Sequence, residues 1–255
     1  MRITHANLVD AVTYITPSSA DVDYPVTNIQ DQRLATKWKS DTASTQTVII
    51  DLGSAQDITT LAVLGHNLVA TGTTVIGNSV VGGTALSMVW EASGQSSVQT
   101  IVYNEDVMLK FVEPMTYRYW KFTFTGLTSA LEVARLWLGT YLTINPSSLL
   151  DFKVTYKNSD INIYGKDRAK FSIPGVVWRK FEFSFPPTES TMINSISDLI
   201  DEIGFYKSVI FTNFDTDFSY SIVYPSYCSI VGNSVGFRHT EYQKYTYAFS
   251  LEEDK

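Results

Sequence analysis

The sequence predicts a mostly β protein of two β-sandwich domains with one amphipathic helix, and three observations predict it. Fifteen Tyr, fourteen Phe and five Trp in 255 residues, beside many Thr, Val and Ser, suit pleated, half-buried strands better than helices. Short runs of period-two alternation, bounded by turn residues, recur along the chain. A single segment near residue 190 carries apolar side chains at helical spacing.

The elements follow in order. Residues 47–53 read as a strand closed by Gly53, and 58–65 as a second closed by Gly65, with polar 54–57 as the turn between them. Trp120, Phe122 and Phe124 alternate with Tyr119, Lys121 and Thr123, so one face is buried and the other wet. Residues 131–139 read as a strand despite a broken alternation. Asn145-Pro146-Ser147-Ser148 has the composition of a linker, which divides the chain into domains 1–144 and 145–255. Gly82-Gly83 and Gly232 read as turn glycines.

Beyond the linker, Phe181, Phe183 and Phe185 share one face of a strand that Pro186-Pro187 is expected to stop. Met192, Ile193, Ile196, Leu199, Ile200 and Ile203 then make one apolar stripe, predicting a helix over about 189–203. Thr188 suits its N-cap, Glu189 its first turn and Gly204 its C′ position. Strands return at 208–212, 219–224 and 242–251, the last alternating Tyr245, Tyr247, Phe249 and Leu251 with smaller or polar residues.

Composition excludes several classes. A net charge of −7 with no basic run argues against nucleic acid, whose binding draws on clustered Lys and Arg. One cysteine, Cys228, rules out an intramolecular disulfide framework and a multi-cysteine metal site, and reads as a small buried hydrophobe. No segment reaches the roughly 20 apolar residues of a membrane helix, and the start of the chain lacks a signal-peptide pattern, so synthesis in the cytoplasm is expected. The three histidines, His5, His66 and His239, are scattered. No zinc-protease, P-loop, nucleophile-elbow, EF-hand or dinucleotide pattern occurs, and no carboxylate pair stands out. The expectation is a protein that is not an enzyme and holds no cofactor.

One cluster stands apart: Asp31, Arg33, Trp38, Lys39 and Asp41, joined by His66 and Asn67 after the next strand. Charged and aromatic groups in loops near strand ends can form a shallow binding patch. The stronger reading has Trp38 plugging the core while Asp31 and Arg33 brace their loop and His66 and Asn67 cap a turn.

The stretches Tyr24-Pro25-Val26-Thr27-Asn28-Ile29, Ala35-Thr36-Lys37-Trp38-Lys39-Ser40 and Ile50-Asp51-Leu52-Gly53, with the strands at 58–65, 117–122 and 131–139, resemble the galactose-binding-like, discoidin-type jelly roll. The variant with Tyr-Pro-x-x-Asn and Gly65-His66-Asn67-Leu68 is similar to a form found in tailed-phage virion proteins. The order of Trp178-Arg179-Lys180-Phe181-Glu182-Phe183, a helix, Ser208-Val209-Ile210-Phe211 and a last strand into Leu251-Glu252-Glu253 resembles the final domain of phage distal-tail and minor-tail proteins.

This resemblance implies a jelly roll over 1–144 and a tail-ring-type sandwich over 145–255. It also implies a structural role in a virion tail tip, as a symmetric ring between tail tube and tip. The partners would be copies of itself, the tail tube, the tip hub and fibres, and the peripheral jelly roll would stabilise the tip, hold fibres or touch the host surface. The jelly-roll family implies an alternative, a carbohydrate-binding protein recognising a surface glycan on an aromatic platform such as Trp38, Trp90 or Tyr103. It further implies a structural calcium, for which Asp21, Asp23 and Asp31 are the candidate ligands. The loop Arg, His and aromatic set of its sugar-binding members has no one-to-one match here.

Overall fold

The computed structural model describes residues 1–68, 74–75, 78–79, 87–92, 95–100, 107–125, 127, 129–144, 151–164, 170–204, 206–212, 225–231, 236–241 and 244–255. Gly82-Gly83, Tyr103, the linker residues 145–148, the strand expected at 219–224 and Gly232 lie outside them, as do the side chains of Trp90, Met192 and Ile193. The chain packs as two compact units, Thr4–Tyr141, and Leu142–Lys255 together with Met1–Ile3.

Strand β1 (Arg2–Thr4) joins the sheet of the C-terminal unit. The N-terminal unit holds β2 (Tyr14–Pro17), β3 (Trp38–Lys39), β4 (Gln46–Leu64), β5 (Thr74–Val75) and β6 (Asn78–Ser79). It continues with β7 (Ser87–Ala92), β8 (Gln95–Thr100), β9 (Val107–Thr125), β10 (Glu132–Val133) and β11 (Arg135–Gly139). Its main sheet runs β11-β4-β9-β7-β8, with β2 on the first half of β4, while β10 pairs with β3. Alternation fixes the inward face: Val48, Ile50, Ile58, Trp120, Phe122, Phe124, Leu136 and Leu138 are buried in one core, closed by Ile29, Trp38 and Val133. This is the mostly β sandwich that the composition predicts.

The turn expected at 54–57 is a bulge. β4 continues from Gln46 to Leu64, and its register with β9 jumps from Asp51↔Tyr119 to Gln56↔Tyr117. Gly53, at φ +78, supplies the kink, and its N–H donates to Asp51 Oδ1 at 2.8 Å. A bulge absorbs extra residues while the strand keeps its partner, so the local turn signal is real and its consequence is not a reversal.

The C-terminal unit holds β12 (Tyr141–Thr143), β13 (Asp151–Asn158), β14 (Ile161–Tyr164), β15 (Lys170–Ile173), β16 (Val177–Glu189), α1 (Ser190–Ile203), β17 (Ser208–Thr212), β18 (Ser226–Ile230), β19 (Gly236–Glu241) and β20 (Lys244–Glu253). The sheet order is β12-β1-β17-β18-β20-β16-β13, with β19 also on β20. Phe152 of β13 and Phe211 of β17 stand four places apart in that order, yet their rings lie 6.4 Å apart. The sheet therefore curls over its own core. Phe181, Phe183, Phe185, Tyr247 and Leu251 fill that core, and Ile196, Leu199 and Ile203 of α1 cover it. Gly204 ends the helix at φ +60, its N–H bonded to Ile200 O at 2.7 Å, the C′ role its sequence position predicts.

Pro186-Pro187 does not stop β16. The strand runs to Glu189, and its ladder with β20 resumes at Thr188↔Tyr245 after a register shift. Proline inside a strand is tolerated at a bulge, where no ladder donor is needed. Thr188 is consequently a strand residue rather than the N-cap, and the helix opens at Ser190.

Candidate functional site

The loop cluster singled out in the sequence is a set of braces. Trp38 is wholly buried, and its Nε1 donates to Ser19 O at 3.2 Å. Pairing Val133↔Trp38 pulls the indole under the sandwich. A ring with no exposed face cannot stack on a sugar, so the Trp38 platform is corrected to a core plug. Asp31 accepts from the Arg33 backbone N–H at 2.9 Å and from Arg33 Nη2 at 2.6 Å. That guanidinium holds the Asp31 carboxyl well below the usual carboxylate range.

His66 is buried and its Nδ1 accepts from Leu68 N–H at 3.2 Å. Asn67 donates to Ala130 O at 2.8 Å and accepts from Glu132 N–H at 2.9 Å. Asn67 thus latches its loop to 130–132, and the His66 bond holds the turn 66–68 itself. Gly65 permits the turn at φ +58, where a Cβ would meet Ala134 Cβ at 2.7 Å. Asp41 donates its backbone N–H to Ser19 Oγ at 3.2 Å. Lys39 lies 3.7 Å from Glu132 Oε1 and over the Tyr24 ring at 5.7 Å, with Lys37 3.6 Å from Glu132 Oε2.

Asp21 uses Oδ1 to cap the Asp23 N–H at 2.9 Å. Among the described residues no group of three or more His, Cys, Asp or Glu side chains gathers as a metal site, so the carboxylates of Asp21, Asp23 and Asp31 do not converge on one point.

Sequence reasoning passes over other braces because Asn and Gln are ordinary surface residues by type. Asn28 Nδ2 donates to Lys37 O at 2.7 Å, and Gln30 Nε2 reaches both Val9 O and Val12 O at 2.9 Å. Asn28 belongs to the Tyr-Pro-x-x-Asn stretch and Asn67 to Gly-His-Asn-Leu. In both motifs the asparagine side chain fixes loop geometry.

A different surface stands out in the C-terminal unit. Among the described residues β14 and β15 pair only with each other, Ile161↔Ile173 and Ile163↔Phe171, and extend the β13–β16 ribbon as an arm. Its neck is held by Ser159 N–H to Val176 O at 3.1 Å and Gly175 N–H to Asp160 Oδ1 at 2.7 Å. The strands approach so closely there that a Cβ on Gly175 would sit 2.4 Å from the Ser159 carbonyl carbon. Ile161, Ile163, Ile173, Val176 and Val177 are each more than half exposed, and so is Tyr156 on β13.

No family model matches this sequence, and no curated protein matches it. Among solved structures it is similar to the lectin domain of lectinolysin complexed with Lewis B antigen, at 13% identity and a TM-score of 0.39, over 52% of this chain and 95% of that one. It is similar to the family 32 carbohydrate-binding module of C. perfringens NanJ in complex with galactose, at 18% identity and a TM-score of 0.40, over 56% of this chain and 100% of that one. It is also similar to chitosan-binding module 1 of a chitosanase/glucanase from Paenibacillus sp. IK-5, at 15% identity and a TM-score of 0.41, over 53% and 99%. All three are lectin or carbohydrate-binding modules; likeness at this level assigns no ligand to this chain.

Proposed function

We propose that this protein is a non-catalytic structural subunit that assembles with copies of itself, of the kind that forms the ring at the tail tip of a tailed bacteriophage. The observation that carries the assembly reading is the β14–β15 arm. Three exposed isoleucines on the two-stranded ribbon, Ile161, Ile163 and Ile173, with Val176 and Val177 at its neck, form a surface of the type that marks protein–protein contact. A ribbon of two strands is marginal alone in water, and covering it would stabilise it. β13, which carries the arm, is the last strand in the sheet order, so arm and edge together offer a head-to-tail contact, which closes into a ring when repeated by rotation. The tail-tip identity rests on the sequence resemblance alone. Expected partners are further copies, the tail tube, the tip hub and fibres.

Light scattering on the full chain at micromolar concentration tests the reading. A closed oligomer is expected, reduced to monomer by Ile163→Asp with Val177→Asp, and ring-shaped particles are expected by electron microscopy. A wild-type chain that stays monomeric at high concentration overturns it.

A second reading, recognition of a surface glycan, is favoured by exposed tyrosines on the jelly-roll sheet. With Trp38 buried and the Trp90 and Tyr103 side chains outside the described residues, those tyrosines are the aromatic platform on which it stands.

A further inference from the structure

The geometry points to the outer face of the N-terminal sheet as a binding strip for an extended, neutral polysaccharide lying across β2, β4 and β9; the inference rests on the glycan reading and is independent of assembly. The strip follows from register. Tyr14 pairs with Asp51, and Asp51 pairs with Tyr119, so the three side chains stand in one row on one face. Ile50 and Trp120, the next residues along β4 and β9, are buried on the opposite face. Tyr14 is 69% exposed and Tyr119 50%, and Ile49 in the adjoining row is 41% exposed.

Between the two rings sits an oriented polar pair. Arg118 donates Nε to Asp51 Oδ1 at 2.6 Å and Nη2 to Asp51 Oδ2 at 2.8 Å. Its guanidinium also lies 4.9 Å from the centroid of the Tyr119 ring, an arrangement that holds both groups in place. Asp51 is further fixed by the Gly53 N–H.

Chemistry selects the ligand. A pyranose ring presents a face of C–H groups, which packs on an aromatic ring, and a rim of hydroxyls, which bond to carboxylate and guanidinium groups. Strand β4 alone separates the tyrosines, so two inter-strand spacings set their Cα atoms about 10 Å apart, the length of two sugar units in an extended chain. Asp51 and Arg118 neutralise one another, which favours an uncharged chain over an acidic one. A row of side chains that crosses three strands of one sheet face meets the side of a chain rather than its end, so it would take the interior of the polymer.

Affinity electrophoresis of the full chain through gels holding neutral polysaccharides (a β-glucan, a galactomannan, a dextran) or an acidic one (an alginate) tests this. Retardation by at least one neutral polymer is expected. Tyr14→Ala, Tyr119→Ala and Arg118→Ala should each weaken it roughly tenfold, while Tyr14→Phe and Tyr119→Phe keep the ring and stay near wild type. Tyr24→Ala, on the loop patch, should leave binding unchanged. Retardation that survives the three strip variants overturns the strip and leaves the glycan reading standing. Retardation by alginate alone overturns the neutral ligand. No retardation by any polymer removes strip and glycan reading together.

Discussion

Replacing Asp10 by alanine takes a bidentate carboxylate partner from a positive charge buried inside the N-terminal unit. Arg135 is 1% exposed, and its Nη2 donates to Asp10 Oδ1 and Oδ2 at 2.6 and 2.7 Å. The guanidinium lies over the Trp137 ring, and Asn7 braces the carboxylate by donating Nδ2 to Asp10 Oδ1 at 2.7 Å. Removing one partner of a buried ion pair costs about 3–5 kcal/mol, because the remaining charge keeps its desolvation penalty. Asp10 itself is a third exposed, so water can enter its place, and the lower end, about 3 kcal/mol, is expected. Adding Arg135→Met removes the buried charge itself and should recover most of the loss. Urea unfolding followed by tryptophan fluorescence measures both, since Trp38, Trp120 and Trp137 are all buried in this unit. A loss below about 1 kcal/mol, or a double variant no more stable than Asp10→Ala alone, refutes the argument.

Three further outcomes are expected. Gly65→Ala forces a Cβ into a left-handed backbone and against Ala134 Cβ, and a loss of about 2 kcal/mol or more in the same unfolding experiment checks it. The Arg118 guanidinium and the Gly53 N–H lower the Asp51 carboxyl to about 2. A depressed carboxylate stabilises the fold above its unfolded value and loses that contribution as pH falls through the folded one. NMR titration should therefore show Asp51 ionised down to about pH 2, returning toward the ordinary carboxylate range in Arg118→Ala. Burial pushes the Cys228 thiol well up, so it should react with an aromatic disulfide reagent only after unfolding; reaction in the native protein would show that the site opens.

What the sequence exposed depended on the range of the interaction. Trp120, Phe122 and Phe124 are buried as their alternation requires, and Ile196, Leu199 and Ile203 face the core from one helix stripe. Each pattern is written within a few residues. Trp38 is different: plug and platform have the same local sequence, and only the pairing with Val133 decides between them. The arm reversed a general expectation, since Ile161, Ile163 and Ile173 are core residues by type and surface residues by position. Tyr14 and Tyr119 become neighbours only through Asp51, a relation that register creates and composition does not contain.

The segment read as a turn is also what shapes the strip. Regular alternation would send Arg118, next to outward-facing Tyr119, toward the buried side with Trp120. Opposite Arg118, however, the ladder jumps from Asp51 to Gln56, so no β4 residue is paired with it and its side chain is released to reach Asp51. Bulges commonly re-aim a side chain in this way. Gly53 makes the kink and its N–H fixes the same carboxylate. The Asp-Leu-Gly that ends a strand in the sequence reading is thus the device that seats an ion pair between two exposed tyrosines. Gly53→Ala has open space for its Cβ but not the backbone conformation, so it should perturb Arg118 and polysaccharide retardation before it perturbs the core. Loss of global stability with retardation intact would break the link between bulge and strip.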